Sequence, residues 1–297
     1  MSVGTPVQPN MRSTDEYAIA LRARNADARR GRLVRGLMLT VSLLYVLVLL
    51  LAPLGGIVFS ALKAGVGAIG ETFSQHDVVH AVYLTFVIML ITVVVTGVMG
   101  VVVALVLARD RFRGKPFVSA IVDLPLAVSP VIVGLMAVLL FGRGGWFEAF
   151  LDARGIRIIY ALPSMVLVTI FISIPFVIRE VLPVLRELGM EEEQAAWTLG
   201  ASKLQTFLRV TLPNIRWGLL YGIALSAARA IGEIGAVLIV SGSLQGQTET
   251  ATIYVLRAFD QYQDQQGYIV ALALAAFSIV LLLGIEFLKH RRTREAK

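Results

Sequence analysis

The 297-residue chain contains no cysteine and only three histidines, His76, His80 and His290. Without cysteine there is no disulfide framework, no thiolate nucleophile and no thiolate metal site. His76 and His80 stand four apart, as on one helix face, but no third ligand accompanies them. They are expected to be solvated loop histidines and not a metal centre. Charge is also scarce. Asp, Glu, Lys and Arg make up 16% of the residues, against roughly a quarter in an ordinary soluble domain. No His/Asp/Ser cluster offers a nucleophile and base, and no G-x-x-x-x-G-K-[ST] phosphate loop occurs. The chain is therefore not expected to be an enzyme or to carry a cofactor.

Apolar length is abundant. Hydrophobic residues make up 57% of the chain, and the mean hydropathy is +0.78. Apolar segments fall near 36–61, 81–108, 117–141, 161–183, 217–240 and 268–288, each long enough to cross a bilayer. Lipid leaves no partner for an open backbone, so an all-α integral membrane fold of about six transmembrane helices is expected. A β-barrel would show short alternating strands instead.

The basic residues orient these helices. Residues 1–35, 109–116, 184–216 and 289–297 carry seven, four, four and five Lys or Arg, whereas 62–80, 142–160 and 241–267 carry one, three and one. The first group is cytoplasmic by the positive-inside rule, with both termini inside. Because the basic residues alternate with the loops, the net charge of +7 is topological, and no nucleic-acid partner is expected. Residues 1–35 form a basic cytoplasmic segment, 36–290 the transmembrane domain and 291–297 a basic tail. Ser13-Thr14-Asp15-Glu16 reads as a capping box that starts a short helix. The arginines from Arg22 to Arg35 read as an anchor to anionic lipid.

The cytoplasmic loop 184–216 differs from the others. Glu191, Glu192 and Glu193 suit the positive end of a helix. Gly200 suits the left-handed residue that ends one. Ser202 with Gln205 forms a second capping box, and Leu204, Phe207, Leu208 and Leu212 give the next helix an apolar side. Two short helices meeting at a glycine, held below the membrane, are expected.

This segment resembles the EAA loop of ABC importer permeases, which reads Glu-Ala-Ala, three residues, Gly, nine residues, Ile, one residue, Leu-Pro. The chain supplies Gln194-Ala195-Ala196, Gly200, Val210, Leu212 and Pro213, with Glu193 adjacent. Gln194 and Val210 depart from the pattern. The resemblance implies a type I importer fold in which this loop docks in a groove of an ATPase subunit, so that closure of the groove on ATP moves the spans. ATP and magnesium would then be bound by that partner.

Further stretches are similar to the sulfate/thiosulfate permeases, in particular the W-type subunit. They are Asp123–Pro130, Phe141–Trp146, Pro175–Glu180, Arg209–Gly222, Ala228–Val237 and Ser241–Ser243. Molybdate permeases are similar around Arg229 and Glu233, so a molybdate or tungstate importer is the alternative. An ion-driven secondary transporter is the reading from another class. The resemblance implies a heterodimer with a T-type permease, two ATPase subunits, an extracytoplasmic sulfate-binding protein and a place in the bacterial inner membrane.

Arg229 and Glu233 lie four apart in the fifth segment, where a charge costs at least a few kcal/mol. Two readings stand: a positive contribution to an anion pathway tempered by the glutamate, or a structural ion pair between helices. Gly218, Gly222, Ser226 and Ala230 form a stripe that lets a second helix approach closely. Arg179 and Glu180, near the cytoplasmic end of the fourth segment, are expected to snorkel or to sit at an interface, and Asp123 to cap a broken helix. Pro125, Pro130 and Pro175 mark expected kinks.

Overall fold

The computed structural model describes residues 11–295 apart from Ala64, with side chains for residues 35–287 apart from Ala64 and Val66. The chain divides into two units, Met1–Gly56 and Ile57–Lys297. The elements are α1 (Met11–Lys63), α2 (Gly65–Ser74), α3 (His76–Arg109), α4 (Lys115–Ala127), α5 (Pro130–Phe141), α6 (Glu148–Asp152) and α7 (Leu162–Leu188). There follow α8 (Glu191–Thr198), α9 (Lys203–Thr206), a π-helical turn (Phe207–Thr211), α10 (Leu212–Ile231), α11 (Gly235–Ser241), α12 (Ala251–Asp260) and α13 (Asp264–Glu295). No strand occurs among the described residues.

Four stretches are long and apolar enough to cross a bilayer singly: Arg35–Lys63, α3, α7 and Asp264–Phe287. Two more are bent pairs, α4 with α5 at 109° and Lys203–Ile231 with α11 at 54°. Six apolar runs therefore stand where six were expected, but the third and fifth are broken. The first break has a local cause. Pro130 disfavours helical backbone at the residue before it, and Ser129 is extended at φ −60°, ψ 136°. Pro125 and Pro175 break nothing, since α4 and α7 run through them.

The second break follows Gly232, and side chains replace the lost backbone bonds. The Glu233 carboxylate accepts the Ala236 N–H at 2.9 Å, and the Thr252 hydroxyl donates to the Glu233 carbonyl at 2.9 Å. A broken span is tolerated in lipid only when neighbours re-satisfy the backbone in this way.

Two smaller expectations are corrected. Residues 13–16 lie inside α1, which is already helical at Met11 and continues to Lys63, so that motif starts no separate helix. His76 and His80 belong to the first turns of α3, not a loop, and their rings stack at 6.3 Å.

In the first unit, every side chain from Arg35 to Leu51 is exposed. In the second, α7 packs against both α3 and α10. Close approach depends on small residues: a methyl group at Gly222 would lie 2.9 Å from Val177 Cα, and one at Gly100 2.7 Å from a Val177 methyl. Ser226 shares a 3.0 Å hydrogen bond with Thr96 of α3. The stripe from Gly218 to Ala230 thus packs as its spacing implies. Lipid tails are as apolar as leucine, so this association rests on van der Waals fit and such bonds.

Candidate functional site

The loop between α7 and α10 folds as a capped hairpin. Glu191, Glu192 and Glu193 occupy the first turn of α8, where carboxylates favour the helix dipole. The Ala201 N–H donates to the Ala196 carbonyl and the Gly200 N–H to the Trp197 carbonyl, both at 3.0 Å. That pair is a Schellman closure, and it needs the left-handed backbone Gly200 adopts at φ 86°. The Ser202 hydroxyl accepts the Gln205 N–H at 3.3 Å, and the Gln205 side chain accepts the Ser202 N–H at 2.9 Å. One expectation is corrected. Only α8 stands as a separate short helix, because α9 continues through the π-helical turn into α10.

The candidate loop residues divide by exposure. Gln194, Ala195, Gly200 and Pro213 are exposed, whereas Ala196, Val210 and Leu212 are half-buried. Trp197, Leu204 and Leu208 add exposed apolar surface, and Leu199 is 88% exposed. Glu193 is buried. Its Oε1 accepts the Thr211 hydroxyl at 2.8 Å and pairs with Arg109 Nη2 at 3.0 Å. Arg109 Nη1 donates to the Leu185 carbonyl at 2.9 Å, and the Asn214 amide donates to Glu192 Oε2 at 2.6 Å. The hairpin thus shows an apolar lip outward and fastens its acidic turn to the ends of the spans.

Arg229 and Glu233 are brought together, Nη1 to Oε2, at 2.6 Å. The glutamate side chain is 2% exposed and the arginine 29%. Oε2 makes no hydrogen bond of good geometry, so charge alone holds that contact, while Oε1 caps α11. A small pocket beside them is lined by Thr85, Ile88, Thr250 and Thr252 among others.

Three polar contacts were not expected from the sequence. From the sequence Arg109 reads only as one of the basic residues of 109–116. Asp123 lies inside α4, so it caps no helix, and it accepts Arg179 Nε at 3.0 Å in an exposed pair. Arg257 Nε and Nη2 donate to the two oxygens of buried Glu249 at 2.6 and 3.0 Å. That hydrogen bond raises the Arg257 pKa above the ordinary guanidinium value. Burial raises that of Tyr254, whose hydroxyl donates to Gln266 at 2.9 Å. No spacing signals pairs like Arg109–Glu193, 84 residues apart, or Asp123–Arg179, 56 apart.

Apolar spans, two of them broken and one of those two beside a buried ion pair, with a capped hairpin between the fourth and fifth, define a multi-pass membrane protein. Residues 98–294 match the binding-protein-dependent transport system inner membrane component, and the chain belongs to that family.

Its relatives include the sulfate transport system permease protein CysW of Synechocystis, 44% identical over 258 residues that cover 87% of this chain and 94% of that one. CysW of Escherichia coli is 38% identical over 271 residues, covering 91% and 93%. The sulfate transport system permease protein CysT of Synechocystis is 34% identical over 256 residues, covering 86% and 90%. Among solved structures, a chain of a bacterial alginate ABC transporter, crystallised with its pentasaccharide-bound periplasmic protein, superposes with TM-score 0.73 at 19% identity, covering 90% and 97%. That likeness concerns the fold.

Proposed function

We propose that this chain is a W-type permease subunit of an ATP-driven sulfate importer. It pairs with a T-type permease and rests on two ATPase subunits, and an extracytoplasmic binding protein delivers the anion. The end bearing the hairpin and most of the basic residues faces the cytoplasm, with both termini on that side. Identities of 38–44% to CysW permeases, against 34% to CysT, support the sulfate and W-type readings.

The hairpin is the observation that carries the ATPase reading. Gln194, Ala195, Trp197 and Leu199 are exposed on α8 and its end, and exposed apolar side chains beside polar ones suit a protein contact. The small Ala195 and Ala196 allow close approach to a groove, and Gly200 sets the angle between α8 and α9. Closure of the ATPase pair on ATP therefore displaces α8, and the spans follow. ATP and magnesium stay in the partner. Arg229, partly exposed at the broken fifth span, lends positive potential to the anion's path, and Glu233 keeps that potential from trapping a dianion.

Co-expression with the candidate ATPase, second permease and binding protein tests the reading. A complex should purify that carries all subunits and takes up radiolabelled sulfate. Retention of molybdate in preference to sulfate would assign the alternative oxyanion, and failure to retain the ATPase would contradict the importer reading itself.

A further inference from the structure

We propose that Arg109, Glu193 and Thr211 form a joint that transmits displacement of the coupling hairpin into the spans. The proposal rests on the importer reading and assigns to the coupling loop positioning residues beyond its outer lip.

One carboxylate oxygen, Glu193 Oε1, receives both Arg109 Nη2 and the Thr211 hydroxyl, at 3.0 and 2.8 Å. Arg109 is the last residue of α3 and also holds the carbonyl of Leu185, in the last turn of α7, at 2.9 Å. Thr211 closes the π-helical turn that leads into α10. A single group on α8 therefore touches the ends of two spans and is tied to a third, α7, through Arg109.

The joint is not needed to fold the hairpin, which is closed by its own glycine turn and capping box, neither of which uses Arg109. What the joint sets is where α8 lies relative to α3, α7 and α10. The other tie, Asn214 to Glu192, is exposed, and salt and water weaken an exposed contact. The Arg109 and Glu193 side chains are 14% and 9% exposed. Removing one partner of such a shielded pair leaves a charge uncompensated, so the contact resists being pulled apart. A π turn is a helix with wider winding, found often at functional sites. Thr211 thus places the joint where the fifth span has slack to take up movement.

The test uses the complete importer in lipid vesicles with sulfate-loaded binding protein, measuring ATP hydrolysis and radiolabelled sulfate uptake together. Arg109→Gln should assemble and hydrolyse ATP, while sulfate moved per ATP falls about tenfold, within the usual range of coupling between two sites. Arg109→Lys, which keeps the charge, should recover part of the loss. Thr211→Val removes one hydroxyl at nearly constant volume and should lower the ratio less. It carries the test if Arg109→Gln fails to assemble. A purely architectural contact would lower the yield of complex and leave sulfate per ATP unchanged; that result in Thr211→Val and in whatever Arg109→Gln complex forms would overturn the joint. A wild-type complex that hydrolyses no ATP would instead overturn the importer reading, and the joint with it.

Discussion

Arg229 and Glu233 meet the demands of a membrane interior in different ways. Glu233 has a contact at each oxygen: one faces Arg229 as an ion pair and the other caps α11. Arg229 is the more exposed partner. Arg229→Ala should impair assembly, because breaking a buried pair costs on the order of 3–5 kcal/mol. Converting both residues to alanine restores charge balance but also removes the cap from the Ala236 N–H. Arg229→Ala with Glu233→Gln is therefore the informative double variant, since glutamine can keep that cap. It should assemble near the wild-type level yet take up sulfate more slowly per assembled complex. Full recovery of uptake would leave Arg229 as a packing residue. The pair itself was legible from a spacing of four in an apolar run. The cap was not, because it appears only once the helix is known to break after Gly232.

At the scale of elements, the hairpin was legible because its signals are local. A glycine followed by Ser-x-x-Gln closes one helix and opens the next whatever surrounds it. The continuation of α9 into α10 was not, since a π turn has no residue signature of its own. Gly200 tests the hairpin. At φ 86°, with open space where a Cβ would stand, a substitution there meets backbone strain and no clash. A left-handed backbone costs an L-residue roughly 1–2 kcal/mol, and more for a β-branched one. Gly200→Val should leave insertion intact and uncouple ATP hydrolysis from uptake, whereas Gly200→Asn, a residue that tolerates this conformation, should retain most coupling. Equal transport per ATP in Gly200→Val and the wild type would contradict the role given to the turn. The broken third span was partly legible through Pro130, but the 109° bend depends on how α4 packs on α7 and α5 on α11, which no local pattern encodes.

For the whole molecule, span number followed from apolar length and the expected orientation from basic residues, both additive properties of sequence. The contacts toward the hairpin end of the spans were hidden, because Arg109–Glu193 and Asp123–Arg179 join residues that only the fold brings together. Orientation is testable in a chain that lacks cysteine. Ser202→Cys should react with an impermeant thiol reagent only after the membrane is breached, and cysteines at Gly144 or Gln247 should react from outside. Outside labelling at position 202 would reverse the assignment of both ends.

In the proposed importer, ATP hydrolysis by a partner drives the anion through this permease. The direct measurement is sulfate accumulation in sealed vesicles holding the complete complex, with loaded binding protein on one face and ATP on the face bearing the hairpin. Accumulation should require ATP on that face and persist when ion gradients are collapsed. Accumulation that proceeds without ATP and vanishes with the ion gradient would contradict it.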